Sequence, residues 1–182
     1  MWKFLVNCCI VMVFATAGFA QKPDYPNVFA AADSGDLAAV KWFYANGSHV
    51  NDAGDFGYTA LHHAAMWKRN DIVKFLLEQG ADVNAVNDDG FIALHNAAMS
   101  GDSVTVRLLA DHGAILYARD NNLMTPLHLA ALKNNVSAAA GLVQAKADVN
   151  DMNENLWTPL RVAQWQKNQE MIEFLQKHGA QQ

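Results

Sequence analysis

An all-α solenoid of about five helix-turn-helix repeats, joined by short β-hairpin loops, is the fold class this sequence predicts. The first supporting observation is a column: His62, His95, His128 and Arg161 stand 33 residues apart, each directly after a leucine. The second is an independent column in the same register, Gly47, Gly80, Gly113, Lys146 and Gly179. The third is the stretch between them, where apolar side chains recur with helical spacing once per interval. A fixed period of roughly 20 to 50 residues marks a stacked array, whose units bury their apolar faces only against one another.

Aligned on that step, the chain divides into units 21–53, 54–86, 87–119, 120–152 and 153–182. Each is expected to hold a first helix of about ten residues, a short turn, a second helix and a loop. In the second unit Thr59 can cap the first helix through its hydroxyl. Leu61, Ala64 and Ala65 then form a buried stripe small enough for neighbouring helices to approach closely. In the second helix, Ile72, Val73, Phe75, Leu76 and Leu77 oppose Asp71, Lys74, Glu78 and Gln79, the pattern of one covered face. Gly80 ends that helix, because glycine tolerates the left-handed conformation found at many helix termini.

The repeated Tyr-Thr-Ala-Leu-His (58–62), Met-Thr-Pro-Leu-His (124–128) and Gly-Ala-Asp-Val-Asn (80–84) resemble the ankyrin repeat, and the resemblance covers essentially all of 21–182. It implies an L-shaped stack of helix pairs with projecting hairpins, partners that are usually proteins, and no enzymatic activity. The last unit places Met171, Ile172, Phe174 and Leu175 on one side of its second helix and polar residues on the other, as a terminal repeat requires. The first is degenerate, with Pro23-Asp24-Tyr25-Pro26 at its start. The fourth departs most: Lys146 replaces the helix-ending glycine, Gly141 a bulky residue, and Ala138-Ala139-Ala140 thin the apolar stripe. A glycine inside a helix costs about 1 kcal/mol, so this unit is expected to be the weak point. Leu123 and Leu156 stand where Gly57 and Gly90 do, which predicts a different turn with Asn122 and Asn155 at positive φ.

Residues 1–20 have a signal-peptide layout: Lys3, an apolar run from Phe4 to Phe19, then small residues. Export to a periplasmic or secreted location is expected, with cleavage after Ala20 preferred over Ala17. Leu5-Val6-Asn7-Cys8 only faintly matches a lipoprotein box. Cleavage would remove both cysteines, Cys8 and Cys9, and one lysine, leaving 162 residues at formal charge −6 rather than −5. That acidity argues against nucleic acid, whose binders present basic patches. No membrane association is expected after cleavage, and a monomer of one domain is.

A metal reading of the histidine column fails on distance, since packed helices lie about 8–10 Å apart and zinc needs nitrogens about 2 Å from one ion. Each imidazole is instead expected to bond main chain and the capping threonine. The cluster His62-His63 with Met66 is the best remaining ligand candidate, with His62 already committed to the scaffold, and through it a copper-binding or small-molecule-binding protein is the alternative function. No catalytic motif stands out, so no cofactor, metal or enzymatic activity is assigned. The sequons at Asn46 and Asn135 matter only if the host glycosylates them.

In the resembled family, partners meet the hairpin tips and the exposed side of each first helix. Those positions here are Asp55, Phe56, Tyr58, Met66 and Trp67; Asp88, Asp89, Phe91, Met99 and Ser100; Asn121, Asn122, Met124, Leu132 and Lys133; and Glu154, Asn155, Trp157, Trp165 and Gln166. They are richer in aromatic and methionine side chains than a solvated face requires. A concave apolar groove fringed by carboxylates is expected, binding a protein partner of unidentified nature. Tyr58, Phe91, Met124 and Trp157 fit a packing ladder equally well. Inhibition of an exported enzyme through the same groove is a further alternative.

Overall fold

The computed structural model describes residues 21–181, so the signal-peptide expectation and both cysteines lie outside the described residues. Each 33-residue unit carries one helix pair: α1 (Val28–Ser34) and α2 (Leu37–Ala45), α3 (Ala60–Met66) and α4 (Asn70–Glu78), α5 (Ala93–Ser100) and α6 (Ser103–Asp111), α7 (Pro126–Leu132) and α8 (Val136–Gln144), α9 (Pro159–Gln166) and α10 (Gln169–Lys177). The first helices stack in one layer, α1 on α3 on α5 on α7 on α9, and the second helices in another, α2 on α4 on α6 on α8 on α10. The core is the seam between the layers. Leu61, Leu94, Leu127 and Leu160 fill it from one side, and Ile72, Leu76, Leu109, Leu142, Met171 and Leu175 from the other.

Alanine sets the spacing of the inner layer. Ala31, Ala64, Ala97, Ala130 and Ala163 are wholly buried, as are Ala32, Ala65, Ala98 and Ala131. The next residue in that last column, Gln164, is exposed because no further unit packs on it among the described residues.

The first helices are seven or eight residues long, shorter than the expected ten, because each stops at a left-handed residue. Gly35, Lys68, Gly101, Asn134 and Lys167 occupy that position, with φ of 84°, 56°, 82°, 56° and 59°. The chain then turns back, and in three of the units the residue that follows is clamped by the unit before it. Arg69 Nε donates to the Asp33 carbonyl, Asn135 Nδ2 to those of Ala98 and Met99, and Asn168 Nδ2 to that of Ala131. The Asn135 amide, the acceptor atom of one sequon, is thereby committed to the scaffold. The second helices end as the glycine column requires, with Lys146 at φ 78° in the place of glycine.

Among the described residues the hairpins contain no extended strand, only an isolated bridge between Ala53 and Thr59. One main-chain bond closes each loop: the amides of Gly54, Asn87, Asp120 and Asn153 donate to the carbonyls of Tyr58, Phe91, Met124 and Trp157 at 2.8–3.0 Å. In the last three, the side-chain Oδ1 of Asn87, Asp120 or Asn153 also accepts two amides, two and four residues on. This local bonding fixes one turn for all three loops. Asn122 and Asn155 therefore do not carry the positive φ expected of them; Leu123 and Leu156 do, at 55° and 58°, where Gly90 has 80°.

The fourth unit is not hollow at Gly141. A Cβ there would lie 3.0 Å from Val106 Cγ1, so α6 has moved in and uses the space that a side chain would have filled. The thin alanine stripe of α8 is thus matched by close approach, and Lys146, with Leu123, remains as the unit's local strain.

Candidate binding face

The histidine column is a set of junction ties. The Thr59 amide donates to His62 Nδ1 at 3.2 Å, so that nitrogen is unprotonated and Nε2 carries the hydrogen. Nε2 donates to the Phe91 carbonyl of the next unit at 3.0 Å. His95 repeats this between the Ile92 amide and the Ala118 and Met124 carbonyls, and His128 between the Thr125 amide and the Trp157 carbonyl. The threonine hydroxyls of Thr59 and Thr125 lie 2.9 and 2.8 Å from the same Nδ1 atoms. Burial pushes all three imidazoles below the usual histidine range, which keeps them neutral. Arg161, last in the column, is exposed and places its guanidinium 5.2 Å above the Trp157 ring.

The sequence-predicted site residues fall into two groups on the face formed by the hairpins and the ends of the inner helices. Tyr58, Phe91, Met124 and Trp157 are half-buried. They do not stack on one another; each packs within its own unit or reaches one polar group of the next. Tyr58 lies edge-on to His62 and His63, with its hydroxyl 3.4 Å from Asp89, and Phe91 stacks on His95. Burial and then the Asp89 charge raise the Tyr58 hydroxyl above the usual tyrosine range. Met124 sulfur accepts from Asn153 Nδ2 at 3.1 Å, and Trp157 meets Trp165 at 6.1 Å.

The second group is more open. Met66, Met99, Leu132 and Trp165 form a column at the ends of the inner helices, half-buried in the second to fourth units and 65% exposed at Trp165. Trp67 is 52% and Phe56 74% exposed. Asp55, Asp88 and Asp89 stand in solvent beside them. Large apolar side chains held in water mark interaction sites more often than isolated exposed leucines do.

Two concavities open on this surface. One, of about 410 Å³, lies at the last hairpin between Met152, Leu156 and Arg161. The other, of about 590 Å³, lies between α1, the second unit's hairpin and α3; Phe56, Tyr58, His63 and Met66 line it. Sequence reasoning missed two of its walls. Phe29 and Asp33 come from the degenerate first unit, and His63 Nδ1 lies 2.7 Å from Asp33 Oδ1. The 33-residue register held part of the signal, since Asp33 stands in the column of Met66, Met99, Leu132 and Trp165. Among the described residues, no group of three or more His, Cys, Asp or Glu side chains converges as metal ligands would. No described helix is long and apolar enough to cross a membrane.

Comparison with known families finds a match to the one described as ankyrin repeats (3 copies), over residues 28–120, 70–153 and 115–182. A search of curated proteins finds no match.

Proposed function

This chain belongs to the ankyrin-repeat family, whose repeats generally mediate protein–protein interaction, and on that premise we propose that it is a non-catalytic, exported module that captures a protein partner on its hairpin and inner-helix face. The observation that carries the reading is the exposure of Phe56, Trp67 and Trp165 along that face. Tryptophan and other large aromatics supply binding energy out of proportion to their number. The scaffold does not need them. Trp67 stands in the column of Ser100, Lys133 and Gln166, and Phe56 in that of Asp89, Asn122 and Asn155. Export is supported by the layout of residues 1–20 and gives the compartment in which the partner is to be sought.

The test is affinity capture from the native compartment with the wild-type protein and with a W67A/W165A double variant. The expected outcome is a partner retained by the first and lost by the second, with the two melting within about 2 °C of each other, since exposed substitutions usually change stability by less than about 0.5 kcal/mol each. A partner retained equally by both would remove this face from the function.

A further inference from the structure

The hollow between the first two units is built differently from the rest of the face. Gly54 lacks the Oδ1 acceptor that Asn87, Asp120 and Asn153 use to organise the other three loops. Its loop alone folds through a 3₁₀ turn, Asp55–Gly57, with Phe56 at φ 55° and ψ 26°. A bulky residue in that region is an outlier, and such strain clusters at ligand-binding positions. Here it holds an aromatic ring in solvent at the rim of the hollow.

Gly54 also lets the floor form. A Cβ on it would lie 2.7 Å from the Phe29 ring, so only glycine admits that ring against the loop. Phe29 packs in turn on the His63 imidazole, with ring centroids 5.6 Å apart. Phe29, Phe56, Tyr58 and Met66 therefore give the hollow aromatic and sulfur walls, and Asp33 and Asp55 give it two carboxylates. Asp33 spends one oxygen on His63. Its other oxygen and both of Asp55 have no hydrogen-bond partner among the described residues. Arg69, held by the Asp33 main-chain carbonyl, does not line the hollow.

We propose that this hollow receives the guanidinium of an arginine side chain carried by the protein partner. Its volume lies within the range of about 300–1,000 Å³ common to ligand pockets. A guanidinium is flat enough to stack on aromatic faces while its edge donates to carboxylates, a combination that a compact ammonium meets less well. The inference rests on the partner-binding reading above and names the chemistry recognised at one end of that face.

The experiment is titration of the ¹⁵N-labelled protein with the tripeptide Ac-Gly-Arg-Gly-NH₂ and with its citrulline counterpart, which keeps the shape and loses the charge. Expected are saturable amide shifts confined to the neighbourhood of Asp33, Phe56 and His63, at least five-fold weaker with citrulline. D55N and F56A should each weaken arginine binding at least five-fold, with an unchanged far-ultraviolet spectrum and melting temperature confirming the fold; both side chains are exposed. W165A should bind the tripeptide as wild type does. Absent or diffuse shifts, equal response to citrulline, or full binding by D55N would overturn the proposal. Partner capture that survives D55N and F56A but fails in W67A/W165A would overturn the arginine site and leave the wider face standing; tripeptide binding without capture would do the reverse.

Discussion

Lys146 offers a direct measure of how much backbone strain the repeat geometry imposes. It sits at φ 78° in the position where Gly47, Gly80, Gly113 and Gly179 take φ from 82° to 107°. A left-handed conformation costs an L-residue about 1–2 kcal/mol. Its side chain is exposed and makes no hydrogen bond or ion pair among the described residues, so K146G removes the strain and loses no contact. Glycine's extra freedom in the unfolded chain returns about 0.5–1 kcal/mol of that gain. The net expectation is stabilisation by about 0–1.5 kcal/mol, centred near about 0.75, or a rise of roughly 1–4 °C in melting temperature around that centre for a domain of this size. The mirror variant G113K should lose a similar amount, because a Cβ at Gly113 meets nothing within 4 Å and only the dihedral angle changes. Urea unfolding followed by circular dichroism gives both values, and hydrogen exchange in α8 should slow in K146G if the strain is local. A K146G that is neutral or less stable, beside a G113K that costs nothing, would refute the argument from φ.

The same strain argument applies to Leu156, 71% exposed at φ 58°: L156G should raise the urea midpoint by a comparable amount. The histidine column predicts acid sensitivity. Burial holds its members' folded-state pKa values below the ordinary histidine value of about 6.5, so the stability they confer is complete above about pH 6.5 and is lost as pH falls through that value toward the folded pKa values. Three such groups set an upper slope of about 4 kcal/mol per pH unit, and urea midpoints between pH 7 and 5 measure it; a flat profile would contradict neutral buried imidazoles. H128A should destabilise by about 2–4 kcal/mol, since it strands the Thr125 amide and Trp157 carbonyl and opens a cavity. H63A, at a half-buried side chain whose partner Asp33 is 39% exposed, should lose no more than about 1 kcal/mol by the same assay.

The helix pairs, the buried leucines and alanines and the tying role of the histidines were legible because each depends on residue type at a fixed step. His62 reads as scaffold from residue type alone, since two ring nitrogens and a capping threonine account for it. Lys68, Lys146, Lys167, Leu123 and Leu156 were not legible as left-handed residues. Nothing in a lysine or leucine signals that conformation; at Leu123 and Leu156 the bonding within the loop imposes it, and comparison with the glycines of the other units reveals it. The same holds for the N-terminal hollow. Asp33 and Phe29 belong to a unit whose motif has decayed, so reading the motif alone passed over side chains that wall this recess.

The histidine ties also impose a timetable on folding. Each bonds a carbonyl 29 residues further along, from His62 to Phe91, His95 to Met124 and His128 to Trp157. A chain emerging amino end first from a ribosome cannot seal one unit until the hairpin that opens the next, five residues into it, has appeared. Every junction therefore closes with the same lag behind synthesis, and the unit at the growing end always waits open for its successor.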